Sequence, residues 1–254
     1  MKTKHSLNIK KTRGFTLVEL LVIVAVLALL GASLLPSVAA LRAKAAQARC
    51  ANNLRILGAA WNTCADDYGG WLLPASFPSK EVVGLPEGCP SNAVQPGIWW
   101  SKLAGYLPPE AFQGNQNVFS CPGDAKPVKA NLNAKPLLLS YGYPDYFGYP
   151  YESNPQWATC NAYGLHRRKN TKKPGATPVL IEMADYPGGK DSGSSISEHK
   201  NSRMIVQAGG YGRELSAWMA FRHCGLANVL FDDGHVEAVN ADNPVSHSKA
   251  EDFF

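Results

Sequence analysis

From Leu20 to Leu41 the chain carries no charged residue. At about 1.5 Å per residue that run makes about 33 Å of helix, enough to cross a bilayer core. Beyond it the hydrophobic pattern changes while the helix signal continues. Leu41 to Asp67 contains no proline and a single glycine, Gly58. Cys50, Leu54, Leu57, Trp61, Cys64 and Tyr68 recur at three- and four-residue steps, which is one face of a helix. Asn52, Arg55, Asn62 and Asp66 fall on the opposite face. The pattern predicts one long helix from about Phe15 to Asp67, bent near Pro36, where a ring replaces a backbone donor. Its second half covers a globular head. Gly58 lies on the apolar face, a position that calls for close approach. Asp66-Asp-Tyr-Gly-Gly70 is the expected stop.

The pattern then loses its helical period. Residues 74–178 hold fifteen of the eighteen prolines, a density that excludes long helices and favours short strands joined by turns. Thr177-Pro-Val-Leu-Ile-Glu-Met183 reads as a buried strand. Ala227–Asp232 and His235–Val239 read as two strands around Asp233-Gly234, a two-residue hairpin signal needing positive φ at both positions. Val229, Phe231 and Val236 are expected in the core beside Leu54, Leu57 and Trp61. Tyr141-Gly-Tyr-Pro-Asp-Tyr-Phe-Gly-Tyr-Pro-Tyr151 is core and turn material or, alternatively, a stacking platform. The Ser-rich stretch from Lys190 to Asn201 reads as an exposed loop. The expected class is α+β, a long N-terminal helix on an antiparallel sheet with long Pro-rich loops.

Charge alters this picture only at the start of the chain. Lys2, Lys4, Lys10, Lys11 and Arg13 precede the apolar run, and no acid precedes Glu19. Without those five, 20 Lys and Arg face 20 Asp and Glu, so the net +5 implies no general attraction to nucleic acid or acidic lipid. The basic flank should stay in the cytoplasm and the rest should be exported. An ordinary signal peptide has a shorter apolar core with a cleavage site behind it. Here the Gly14-Phe15 junction lies before the apolar run, and Glu19 lies just inside it.

Arg13-Gly-Phe-Thr-Leu-Val-Glu19 resembles the leader junction of type IV prepilins and type II secretion pseudopilins. Pro36 matches a helix-kinking proline common in that family. The resemblance implies a type IV pilin-like fold, cleavage between Gly14 and Phe15 by a prepilin peptidase, and N-methylation of Phe15. It divides the chain into a cytoplasmic leader (1–14), a transmembrane or filament-core helix (15–41) and an exported head (42–254). Glu19 needs a physical reason, since a carboxylate at the centre of a membrane helix costs about 2.5–3.5 kcal/mol on insertion scales. One reading places it at the headgroup level. In the family reading, it pairs with the new ammonium of a neighbour's Phe15 and sets the stagger of packed helices.

His223, nine intervening residues and Asp233-Gly234 resemble the H-x9-DG motif of a large group of prepilin-like proteins. Cys50-Ala-Asn-Asn-Leu-Arg-Ile-Leu-Gly58, Phe119-Ser-Cys-Pro-Gly-Asp124 and Arg222-His223 look like further landmarks of that group. His223, Asp232, Asp233 and His235 could together bind a divalent ion. Calcium is one candidate, since some secretion pseudopilins hold it in a C-terminal loop. The turn alone also accounts for Asp233, and no other cofactor is implied.

All six cysteines, Cys50, Cys64, Cys89, Cys121, Cys160 and Cys224, follow the apolar run. In an exported head that number suggests disulfides. Cys50 and Cys64 are about 21 Å apart along one helix and cannot join each other. Cys121, in its Cys-Pro landmark, is the first candidate partner for Cys50.

Arg167, Arg168, Lys169, Lys172 and Lys173 form a basic segment. It reads as a solvated loop or, alternatively, as a phosphate contact. No nucleophile elbow, phosphate loop or metalloprotease signature appears. The expected function is structural, without catalysis. Its partners would be the prepilin peptidase, the inner membrane, other pilin or pseudopilin subunits and the assembly platform of a secretion or pilus system. Nucleic acid is not among them. The alternative is a membrane-tethered module binding polysaccharide or DNA.

Overall fold

The computed structural model describes residues 15–77, 97–112, 117–132, 135–144, 166–184, 204–205 and 219–243. Gly14 and the rest of the leader, Cys89, Cys160, the second half of the aromatic run and the Ser-rich stretch lie outside them. The chain forms two compact units, Met1–Arg42 and Ala43–Phe254.

Helix α1 runs from Leu17 to Asp67 and continues through Pro36. In the first unit its described apolar side chains are exposed, among them Leu17, Leu21, Val24 and Leu29, as is Phe15 just ahead of it. Among the described residues no helix is long and apolar enough to cross a membrane. The side chains of residues 33–37, inside the uncharged run, are not among those described.

In the second unit the expected periodicity appears as burial. Cys50, Leu54, Leu57, Trp61 and Cys64 are all buried, whereas Asn52, Arg55 and Asp66 are exposed and Asn62 is half-buried. The helix closes as foreseen at the double glycine. Gly70 N–H donates to Ala65 O at 2.8 Å and Gly69 N–H to Asp66 O at 3.0 Å. Gly69 has φ +64°. These two bonds satisfy carbonyls that a helix end otherwise leaves open.

The buried face of α1 lies on a five-stranded sheet. Its strands include β5 (Tyr141–Pro144), β6 (Pro178–Glu182), β7 (Met204–Ile205), β8 (Leu226–Phe231) and β9 (Val236–Asn240), in the order β7-β5-β6-β8-β9. Neighbours are antiparallel except β7, which pairs parallel with β5 at the edge. All five residues of β6 are buried, which suits a strand with neighbours on both sides. Two small antiparallel pairs accompany this sheet: β1 (Ser76–Phe77) with β2 (Gly97–Ile98), and β3 (Val128–Leu132) with β4 (Lys135–Leu139). A short helix, α2 (Trp99–Leu103), follows β2. The class is α+β, as expected.

Aromatic residues fill the space between helix and sheet. Trp61 Nε1–H donates to Tyr143 Oη at 3.0 Å, and the Tyr143 hydroxyl donates to the Leu73 carbonyl. Trp99 stacks on Tyr143 with centroids 5.5 Å apart. The described start of the aromatic run, Tyr141 to Pro144, is thus core material.

Gly58 faces Leu230 on β8. A Cβ built there would stand 2.8 Å from Leu230 Cδ1, and Leu230 is fully buried. The close approach is therefore of a sheet side chain to the helix backbone. Gly58→Val is expected to destabilise the head by about 1–3 kcal/mol through overpacking. The check is a lower denaturant midpoint at unchanged slope.

Two details at the C-terminal hairpin depart from expectation. Asp233 does not adopt positive φ; only Gly234 does, at +89°. Gly234 N–H donates to Phe231 O at 2.9 Å, and Phe231 N–H to His235 O at 3.0 Å. This is the longer, three-residue connection, a turn from Phe231 whose last residue is the left-handed Gly234, in place of a two-residue loop. The extra residue shifts the register so that Leu230 faces Val236. Val236 is consequently only half-buried, and Val239 is the buried residue of β9.

Candidate functional site

The N-terminal segment carries a reciprocal cap. Glu19 N–H donates to Thr16 Oγ1 at 3.2 Å. Glu19 Oε2 accepts from the Thr16 amide at 2.8 Å and from the Thr16 hydroxyl at 2.9 Å. Two amides that the first turn leaves without partners are thereby satisfied. Phe15 is exposed just ahead of it. Sequence reasoning gave Glu19 a membrane cost and a pairing role and missed this local one. The signal was Thr16-Leu-Val-Glu19, a Thr three residues before a Glu at the head of an apolar run.

The second constellation is buried in the head. Cys50 comes from the helix, Cys121 from the Cys-Pro-Gly turn, Glu182 from the end of β6 and His223 from the turn before β8. Their Sγ, carboxylate and ring-nitrogen atoms all lie within 4.8 Å of one another. His223 Nε2 is 3.3 Å from Cys121 Sγ and 3.0 Å from Glu182 Oε1. Asn228 Nδ2–H donates to the same Glu182 oxygen at 2.7 Å. Cys50 Sγ is 3.1 Å from Tyr141 Oη. Glu182 Oε2 is buried without a hydrogen-bond partner.

The landmark stretches build this cluster. Asn53 Nδ2–H donates to Ser120 O at 3.0 Å, tying the helix to the Cys121 loop. Asp124 N–H donates to Cys121 O at 2.9 Å and closes the turn. Gly123 leaves room for the imidazole, since a Cβ there would stand 3.0 Å from His223 Cε1. Arg222 pairs with Asp124 at 3.2 Å. Cys224 and Gly225 both take positive φ, which turns the chain sharply enough for His223 to bridge to Leu226.

The electrostatics follow from proximity in a dry site. Burial pushes the Cys50 thiol well up. The hydrogen bond from Cys50 pulls Cys121 down against burial, and the bond to His223 adds to it. Burial alone would lower His223, but its bonds to Cys121 and Glu182 outweigh that and leave it raised to about 9. Cys50 and Cys121 are brought together as expected. Both are free thiols, so the link between them is not formed here. Cys64, buried, and Cys224, exposed, are free as well.

The four residues suggested for a divalent ion do not converge. Strand β8 separates His223 from Asp232, Asp233 and His235, and six residues of strand span about 20 Å. Asp233 Oδ1 accepts from His235 N–H at 3.0 Å and contacts its Nδ1 at 2.5 Å, at the surface. Asp232 is buried with Arg168 Nε 3.7 Å away. Burial raises its carboxyl, with Thr171 and Arg168 opposing. Glu182, which joins His223 instead, was missed. Its signal was a lone acid inside Val-Leu-Ile-Glu-Met183.

Arg167 and Arg168, in the basic 167–173 segment, are engaged with the head. Arg168 donates to Asn62 Oδ1 at 2.6 Å and lies 5.1 Å over Trp61. Arg167 lies 4.7 Å over Trp71. Backbone bonds from Leu72 to His166 and from Arg168 to Gly70, both 2.8 Å, fix the segment beside the helix end. Lys169, Lys172 and Lys173 remain exposed.

The N-terminal helix and the antiparallel sheets make an α+β class consistent with a type IV pilin-like fold. Residues 9–35 match the prokaryotic N-terminal methylation motif, which supports a type IV prepilin-like protein anchored at the inner membrane. No curated protein and no solved structure matches the chain.

Proposed function

We propose that this chain is a structural pilin-like or pseudopilin-like subunit. A prepilin peptidase cuts it after Gly14, Phe15 is N-methylated, and its N-terminal helix assembles it into a type IV pilus or a type II secretion pseudopilus. The methylation motif over residues 9–35 carries this reading. The uncharged run from Leu20 to Leu41 and the exposed apolar side chains of α1 support it. Such a surface must be covered by lipid or by other helices. The unassembled subunit is held once across the inner membrane, its N terminus cytoplasmic and its head exported, in keeping with the basic flank.

Intact-mass and N-terminal peptide analysis of the purified protein tests the reading. The expected product starts at Phe15, lacks residues 1–14 and carries one added methyl. A chain cut behind the apolar run, near Ala39 or Ala40, would mark an ordinary secretory leader and overturn it.

A further inference from the structure

We propose that Cys50, Cys121, Glu182 and His223 form a closed structural site for a thiophilic divalent cation of the zinc class. Two sulfurs, one imidazole nitrogen and one carboxylate oxygen make a four-donor set suited to tetrahedral zinc. Zinc bond lengths of about 2.0–2.3 Å put donors about 3.3–3.8 Å apart around a tetrahedron. The Cys121–His223 and His223–Glu182 separations are 3.3 and 3.0 Å, and no pair exceeds 4.8 Å. Small side-chain shifts bring all four into range. The cluster is not an acid patch that solvent explains, because all four residues are buried.

A second observation points to a ligand. Glu182 Oε2 is buried and has no hydrogen-bond partner, a state that costs free energy unless something accepts its lone pairs. Asn228 holds the other oxygen at 2.7 Å, the kind of outer support that orients a ligating carboxylate. Calcium does not fit, since it needs six to eight oxygen donors. Binding leaves both sulfurs as thiolates and His223 as the neutral imidazole, and releases to solvent whatever protons the thiols and the imidazolium carried. Both thiolates, the carboxylate and the divalent cation leave one net negative charge. With four protein donors and no open position, the cation is a staple: it joins α1, the Cys121 turn, β6 and the start of β8.

The same sulfurs could instead form a disulfide, and one set of measurements on the full-length, detergent-purified protein separates the two. Prepared without chelator, it is expected to hold roughly one zinc per chain through gel filtration. Replacement by cobalt(II) should give thiolate-to-cobalt charge-transfer absorption with the strong visible bands of tetrahedral cobalt. Alkylation of Cys50 and Cys121 should require a chelator, and chelation should lower the unfolding midpoint. Cys121→Ser should lose the charge-transfer intensity from one sulfur. Cys64→Ser and Cys224→Ser should leave the spectrum unchanged. Glu182→Gln, which preserves the Asn228 bond, should keep the sulfur bands and weaken retention. A Cys50–Cys121 disulfide in non-reducing peptide maps overturns the proposal. So does wild-type protein with no bound metal, no cobalt charge transfer and alkylation indifferent to chelator.

Discussion

Replacing Glu19 with valine is expected to remove the protein from filaments while leaving it in the membrane and still cut after Gly14. The substitution takes a carboxylate out of an apolar helix, so insertion should not suffer. If Glu19 pairs with a neighbour's Phe15 ammonium in the filament, the variant leaves that charge without its partner, and removing one member of a buried pair costs about 3–5 kcal/mol. Such a cost lowers the incorporation equilibrium by more than about a hundredfold. The reciprocal cap with Thr16 offers a competing explanation, which Glu19→Gln resolves. A glutamine preserves the cap but carries no charge. If pairing sets the stagger, both variants fail; if only the cap matters, Glu19→Gln assembles normally. Among the described residues the head core contains none before Cys50, so its melting temperature should be unchanged in both. The measurement is the sheared filament fraction in cells lacking the wild-type protein. Normal incorporation of Glu19→Val there would rule out a role in register.

Trp61→Ala is expected to destabilise the head by about 3–5 kcal/mol, a large part of the stability of an ordinary domain. The indole is fully buried, donates to Tyr143 and lies beneath Arg168. Its removal opens a cavity where helix, sheet and basic segment meet. Trp61→Phe keeps most of the packing and forfeits the hydrogen bond, so a smaller loss of about 1–2 kcal/mol should result. Denaturant midpoints with fixed slope give both values. A shift below about 1 kcal/mol for Trp61→Ala would mean that the core closes over the gap.

Local signals carried much of this fold. The spacing of Cys50, Leu54, Leu57 and Trp61 was enough to assign the buried face, because a helix turns 100° per residue whatever surrounds it. The apolar run ending at Met183 marked β6, and Gly69-Gly70 marked the end of α1. Turn class was less legible. Asp-Gly fits a two-residue loop and also a longer one, and the structure chose the second, which left Val236 half-buried against the core. The candidate site was half legible. Cys50 and Cys121 could be paired through resemblance, but their meeting with Glu182 and His223 depends on sheet order. Antiparallel pairing brings Glu182, at the end of β6, beside the start of β8 and so beside His223. Residues 41 positions apart carry no local sign of that contact. The Thr16–Glu19 cap, by contrast, is legible locally, as a Thr three residues before a Glu at the head of an apolar run.

The interval between His223 and Asp233 acts as a ruler. Strand β8 occupies most of it, with His223 anchored in the buried cluster at one end and the glycine turn at the other. Along β8 the side chains alternate between two environments. Leu230 meets the helix at Gly58 and Asn228 holds Glu182, while Ala227, Val229 and Phe231 fill a second cluster with Ile181 and Met183. One inserted or deleted residue would rotate that alternation by half a period and exchange the two sets. Asparagine would then enter the all-apolar cluster, and Glu182 would lose its amide support. Substitutions within the interval trade one side chain for another, whereas a change in its length reverses the strand, so this segment should tolerate replacement far better than insertion.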